Sequence, residues 1–263
     1  MTLTASDLHV NYGRRPILEG FEFEAEAGAL TAIVGPNGSG KTTLMRALCG
    51  DLAARGQIRL NDFPVRGETP WALAGRRGVL PQATRVAFAF TVREVVAMGL
   101  EAGRHAADPR VIPRALEAVD MIWAADQRYQ ELSGGEQQRV QLARVLAQVW
   151  QPQMPDGPCW LFLDEPVASL DIAHQLTVME LARRYADEGG GVVAVMHDLN
   201  LTAMFADRVW LLKAGKVLAT GSPVGVMTDR NLSEAYGCSL RVGVAPPAPT
   251  PFVLPQASGK EAS

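Results

Sequence analysis

Residues 29–50, ALTAIVGPNGSGKTTLMRALCG, decide the fold. A short apolar run, ALTAIV, has the continuous hydrophobicity of a strand buried on both faces. A glycine-rich loop follows, and then a pattern that predicts a helix from Lys41 to Cys49, closed by Gly50. The loop, Gly35 to Thr42, satisfies G-x-x-x-x-G-K-[ST] in full. Gly35, Gly38 and Gly40 let the backbone turn its N–H groups inward around phosphates, where a Cβ would obstruct. Lys41 can reach the outer phosphates, and the Thr42 hydroxyl can ligate Mg²⁺. A bare glycine turn before a helix is the plainer alternative. Strand, loop and helix in this order are the context that a phosphate loop requires.

Strand signals flank this centre. FEFEAEAG (21–28) alternates apolar and acidic residues, and GQIRLND (56–62) is similar. From about Phe88 to Trp150 the pattern turns helical. Thr91 and Glu94 have capping-box spacing ahead of Val92, Val95 and Val96. Pro113 is expected to open a helix carrying Leu116, Val119 and Trp123 on one side, and Ser133 a helix carrying Val140, Ala143, Leu146 and Ala147. Buried strands return in CWLFLDEP (159–166) and VVAVMHD (192–198), the second ending at His197. A helix from about Asp171 to Glu188 separates them. VWLLKAGKVLATG (209–221) predicts a hairpin turning at Ala214–Gly215. The expected class is α/β, with a mainly parallel sheet covered on both faces. Residues 1–240 are expected to form one unit with a helical subdomain at about 88–150. The proline-rich tail, 241–263, is expected to be mostly disordered.

Composition sets limits. The chain has 263 residues, enough for a full core, and a formal net charge of −3. That balance argues against a nucleic-acid partner, which calls for a basic face. No apolar run is long enough to span a bilayer, and MTLTASDLHV lacks the features of a signal peptide. Cys49, Cys159 and Cys238 have neither disulfide-frame nor zinc spacing, and His9, His105, His174 and His197 form no metal pattern.

Two further motifs carry chemistry. In WLFLDEP (160–166), Asp164 ends a buried strand, where ligands collect in α/β sheets. It can hold Mg²⁺ directly or through water, and Glu165 can accept a proton from an attacking water. A strand-ending pair of solvated acids is the bland alternative. In ELSGGEQQRV (131–140), Ser133 and Glu136 make a capping box. A cap alone leaves Gly134 and Gly135 unexplained, since glycine costs about 1 kcal/mol against alanine in a helix, though less in its first turn. Bare glycines at a helix start let an anion approach the free N–H groups and the positive dipole end. One chain then holds two phosphate cradles.

LSGGEQ between a phosphate loop and LFLDEP resembles the ATP-binding-cassette (ABC) ATPases, from about Leu3 to Leu240. The resemblance implies a P-loop NTPase fold: a RecA-like, mainly parallel sheet, an N-terminal antiparallel β part and a helical subdomain. It also implies a head-to-tail homodimer, in which the second cradle caps the partner's ATP. Gly35, Pro36, Asn37, Gly38, Ser39, Gly40, Lys41, Thr42 and Thr43 would hold ATP, joined by Ser133, Gly134, Gly135, Glu136 and Asp171. Asp171 lies in SLD (169–171), which resembles the family's loop that crosses the dimer interface, although Ser169 and Asp171 are also helix-capping types. Tyr12, in VNYG, resembles the aromatic residue that stacks on adenine; alone it reads more readily as a core or strand residue, and the family pattern favours stacking. Gln82, in LPQ, would touch Mg²⁺ or the water, with Thr42 and Asp164 as the other metal ligands. Glu165 would be the base, and His197 would contact the γ-phosphate. Val167 departs from the pattern, since many relatives carry Thr there.

Two segments resemble the bacterial haem (hemin) importers, a branch of the iron-chelate and cobalamin importers. They are LPQATRVAFAFTVREVVAMG (80–99) and the long link AQVWQPQMPDGPCWLFLDEP (147–166). The resemblance implies two membrane-spanning permease subunits, a periplasmic haem-binding protein, and a peripheral location on the cytoplasmic face of the inner membrane. A siderophore or cobalamin importer remains open as an alternative, as does a soluble cassette ATPase of iron–sulfur assembly.

Overall fold

The computed structural model describes residues 1–65, 67–82 and 88–255. In chain order come β1 (Thr2–Tyr12), β2 (Arg15–Glu26), β3 (Leu30–Val34), α1 (Lys41–Leu48), β4 (Arg55–Leu60), β5 (Phe63–Pro64), α2 (Pro70–Ala74) and β6 (Arg77–Leu80). The helical stretch holds α3 (Val92–Ala102), α4 (Val111–Ala118) and α5 (Gly134–Gln148). Then follow β7 (Gln153–Met154), β8 (Gly157–Pro158), β9 (Trp160–Asp164), α6 (Ile172–Asp187), β10 (Gly191–Val195) and α7 (Leu199–Phe205). The last elements are β11 (Arg208–Lys213), β12 (Lys216–Gly221), α8 (Pro223–Val226) and α9 (Asp229–Tyr236).

The main sheet has the order β12-β11-β3-β10-β9-β6, parallel except for β12 against β11. Its apolar runs divide by period two, as strands covered on both faces must. Leu30, Ala32, Leu161, Leu163, Val192 and Ala194 enter a core shared with α3–α7. Ile33, Trp160, Phe162, Val193 and Val195 enter a second core shared with α1 and the antiparallel sheet β2-β1-β4-β5. The FEFEAEAG alternation is realised in β2: Phe21, Phe23 and Ala25 are buried and Glu22, Glu24 and Glu26 exposed. The Ala214–Gly215 hairpin forms as expected, both residues having positive φ.

Three expectations need correction. The fourth helix starts at Val111, not at Pro113, which occupies the first turn, where its missing N–H has no partner to lose. That helix stops at Ala118, and Asp120 takes φ 56°. Trp123 therefore lies on a separate 3₁₀ turn (Ile122–Ala124), 57% exposed, instead of extending the Leu116–Val119 stripe. β10 ends at Val195, so His197 stands two residues past the strand. Within the long link, 153–158 form the β7–β8 hairpin. Asp156 there takes both Arg104 nitrogens (2.6 and 2.9 Å) and Arg76 (2.8 Å), while Asn61 Nδ2 donates to the Pro158 carbonyl. Of the segment 80–99, residues 83–87 lie outside the described residues, as do 256–263 of the tail. Among the described residues no helix is long and apolar enough to cross a membrane.

Candidate active site

The adjacent strands β3, β10, β9 and β6 end on the same edge of the sheet, so the residues that follow them converge. The glycine loop leaves β3 with Gly35 at φ 148°, where a Cβ would lie 2.2 Å from the Leu212 carbonyl oxygen. Gly38, at φ 78°, faces open space on the exposed crown that it shares with Asn37. The Ser39 carbonyl accepts a 2.9 Å bond from Gly215 N–H, bracing the loop on the β11–β12 turn. Lys41, 6% exposed, donates to the Gly35 (2.9 Å) and Pro36 (3.2 Å) carbonyls. Burial lowers its pKa, against the opposing pull of the Glu165 and Asp164 carboxylates. Thr42 Oγ1 donates to Asp164 Oδ1 at 3.4 Å, and Thr43 is buried beneath.

Asp164 ends β9 at 5% exposure. Burial, and then the Glu165 charge, push its carboxyl above the ordinary value. Glu165 follows in the left-handed region, φ 54°, a conformation that costs a non-glycine residue about 1 kcal/mol. That turn brings its carboxylate between two partners. Oε2 accepts from Gln82 Nε2 (2.9 Å), and Oε1 pairs with His197 Nε2 (2.6 Å). Its main chain is tied as well, N–H to the Val195 carbonyl and carbonyl to Gln138 Nε2, both at 3.1 Å.

The candidate second cradle, Ser133–Glu136, takes the capped geometry that its sequence predicts. Ser133 caps α5, its Oγ accepting from Glu136 N–H, while the Glu136 carboxylate reaches back to Ser133 N–H and Oγ at 2.7 Å. The Ser133 hydroxyl, with its N–H, holds the Glu136 carboxyl below its ordinary pKa. Glu136 is thus turned toward the cap, and Gly134 toward open space. A Cβ on Gly135 would come within 3.2 Å of the Ser169 carbonyl oxygen. Asp171 caps α6 through His174 N–H (2.9 Å) and holds His174 Nδ1 at 2.8 Å. Val167 is buried in the helical-side core, consistent with the loss of a hydroxyl there. Tyr12 sits at the tip of the β1–β2 hairpin, 48% exposed; Ile17 and Leu18 of β2 lie against Gly40.

Gln82, Lys41, Thr42, Asp164, Glu165 and His197 thus share one constellation, while Ser133–Glu136 and Asp171 are held by helix caps of their own. Sequence reasoning missed Gln138 and Gln175. The latter clamps the Val167 and Leu170 carbonyls at 3.3 and 3.0 Å. Nothing in the EQQ run singles out Gln138, because contact with a strand end is a tertiary fact.

The residues fit a hard divalent cation. Among the described residues no cluster of three or more His, Cys, Asp or Glu forms a metal cage. Thr42 Oγ1 and buried Asp164 offer one hydroxyl and one carboxylate, the oxygen-only set that Mg²⁺ uses when substrate phosphates supply other ligands. The Ser39 hydroxyl is also buried inside the loop with no hydrogen-bond partner among the described residues.

The family model described as ABC transporter matches residues 18–168. The chain is 58% identical to the Hemin import ATP-binding protein HmuV of Ruegeria sp. (strain TM1040), covering 97% of this chain and 98% of that protein. It is 53% identical to the protein of that name from Rhizobium meliloti (strain 1021), covering 97% and 99%. A solved structure described as a metal-chelate type ABC transporter, inward-facing, matches with TM-score 0.72 at 25% identity over 90% of this chain and 89% of that one. CbiO1 of Clostridium perfringens, part of the ABC transporter complex cbiONQ, matches with TM-score 0.71 at 26% identity, over 88% and 92%.

Proposed function

Since the chain belongs to the ABC transporter family as an ATP-binding subunit, we propose that it hydrolyses ATP to drive haem through a bacterial inner-membrane importer. The observation that carries hydrolysis is the Glu165 carboxylate held between Gln82 and His197, next to Asp164 and the phosphate loop. Haem as cargo rests on near-full-length similarity to hemin import ATP-binding proteins. A different metal chelate is the second reading, supported by the likeness to a metal-chelate type transporter.

Lys41 exchanges its carbonyl partners for phosphate oxygens, and the loop N–H groups supply the remaining donors. Tyr12, at its exposed hairpin tip, stacks on the adenine. Thr42, Asp164 and Gln82 would hold Mg²⁺, which balances the charge that develops on the phosphates. His197 turns from Glu165 toward the γ-phosphate, freeing Oε1 to take a proton from the attacking water. A general base of this kind supplies roughly 10²–10⁴ in rate. Ser133, Gly134 and Gly135 close over the nucleotide of a second copy, with Asp171 at the junction. The working assembly is a homodimer, peripheral on the cytoplasmic face, beneath two permease subunits fed by a periplasmic haem-binding protein. Residues 1–240 act as one ATP-binding unit, its helical part at about 88–150.

Glu165→Gln tests the chemistry. The variant is expected to bind ATP, lose turnover and accumulate as an ATP-bound dimer by size exclusion. Turnover at the wild-type rate would remove Glu165 from the role of base.

A further inference from the structure

Gln138 joins the helix of the second cradle to the Glu165 turn of the same chain. It sits on α5 one turn beyond the Ser133 cap, and its Nε2 donates to the main-chain carbonyl of Glu165 at 3.1 Å. Its neighbours make other bonds: Gln137 Nε2 donates to the Leu132 carbonyl, and Gln141 Nε2 to the Tyr129 hydroxyl. The Gln138 Oε1 is buried without a hydrogen-bond partner among the described residues, so the side chain's polar bonding is spent on Glu165.

The target is unusual. Glu165 has φ 54°, and a non-glycine residue persists there only where its surroundings hold it. Three groups do so: the Val195 carbonyl takes its N–H from the β10 side, while its carbonyl accepts from Gln138 Nε2 on the α5 side and, at 3.4 Å, from the Ala168 N–H of its own turn. Of these only Gln138 reaches it from the helix that carries Ser133–Gly135. Rotation of that backbone would swing the carboxylate away from Gln82 and His197. The first turn of α5 also lies against the same segment further along, since Gly135 closes on the Ser169 carbonyl. The capping box closes that turn with reciprocal bonds, and Gln138 lies on the same helix, so a shift of Ser133–Gly135 as part of the helix carries Gln138 with it.

We propose that Gln138 is a positioning residue for hydrolysis. It holds the Glu165 main chain in its left-handed turn, and so transmits the seating of Ser133–Gly135 on a partner's nucleotide to the base of its own chain. This rests on the ATPase function proposed above and deepens it.

The test is Gln138→Met, which keeps the volume and removes the donor, assayed in the full-length protein with Mg²⁺ and ATP. kcat should fall on the order of tenfold, because the base remains and only its orientation is lost. The KM for ATP should stay within about twofold, and the Hill coefficient for ATP should move toward one. Combined with Glu165→Gln, Gln138→Met should still give the ATP-bound dimer, which shows that folding and clamp formation survive. Wild-type kcat and Hill coefficient in Gln138→Met would overturn the proposal. So would a joint loss of melting temperature, ATP affinity and dimer, since that marks a merely structural residue. Wild-type protein without ATPase activity, or an active Glu165→Gln, would instead sink the underlying function, and the two failures are told apart.

Discussion

At the scale of single residues, two substitutions separate chemistry from stability. Gly134 faces open space, so Gly134→Ala costs no packing and favours the helix. Melting temperature should hold or rise while ATPase activity falls, as an anion's approach to the helix start becomes obstructed. Unchanged activity would leave Ser133–Glu136 a cap and nothing more. Asp164 has its pKa raised by burial, so between the ordinary carboxylate value and that raised value the folded state binds a proton that the unfolded chain releases. Its contribution therefore falls as pH rises through this window. Asp164→Asn should raise the melting temperature of nucleotide-free protein at neutral pH, with the gain shrinking as pH falls toward about 4. The same variant should lose the added stability that Mg²⁺ and ATP give the wild type. Lys41, Thr42, Asp164 and Glu165 were legible in sequence because each sits at a fixed offset from a strand end. The left-handed turn at Glu165 and its Gln138 tether were not, since both arise from elements far apart in the chain.

At the scale of elements, sequence pattern fails where a local signal competes with a tertiary one. Trp123 has helical spacing from Leu116 and Val119, yet the positive φ at Asp120 ends the register and puts the indole outside. Thr91–Glu94 and Ser133–Glu136 were readable because a capping box is local, and both form. The β7–β8 hairpin shows the opposite case. QPQMPDGP reads as a loop, but Asp156 binds Arg76 and Arg104 across the fold, and Gln153 Nε2 donates to the Gly189 carbonyl. Hydrogen bonding to Arg104 holds the Asp156 carboxyl below its ordinary pKa. The stability it contributes is therefore present above the ordinary carboxylate value and is lost as pH falls through the depressed one. Asp156→Asn should cost about 1 kcal/mol at neutral pH, the size expected of a half-exposed ion pair, and nothing in strong acid. Urea denaturation at the two pH values measures the difference.

At the scale of the whole molecule, one sheet separates two cores, and the catalytic edge lies where its parallel strands end. The helical side carries the Ser133 cradle, and the other side carries the hairpin with Tyr12. In the proposed head-to-tail pair a second copy would supply each site with the cradle it lacks, so that ATP binding would act as a clamp and hydrolysis as its release. That change of state can shift a docked permease, because only differential binding moves a two-state equilibrium. Haem as the proposed cargo rests on resemblance alone, since none of these side chains has a reason to touch haem. The most direct test is growth of a bacterial strain lacking this gene, with haemin as sole iron source and ferric siderophore and inorganic iron as controls. The account predicts loss of growth on haemin only, restored by the wild-type gene and not by Lys41→Ala. Undiminished growth on haemin, in a strain without another haem importer, would contradict it.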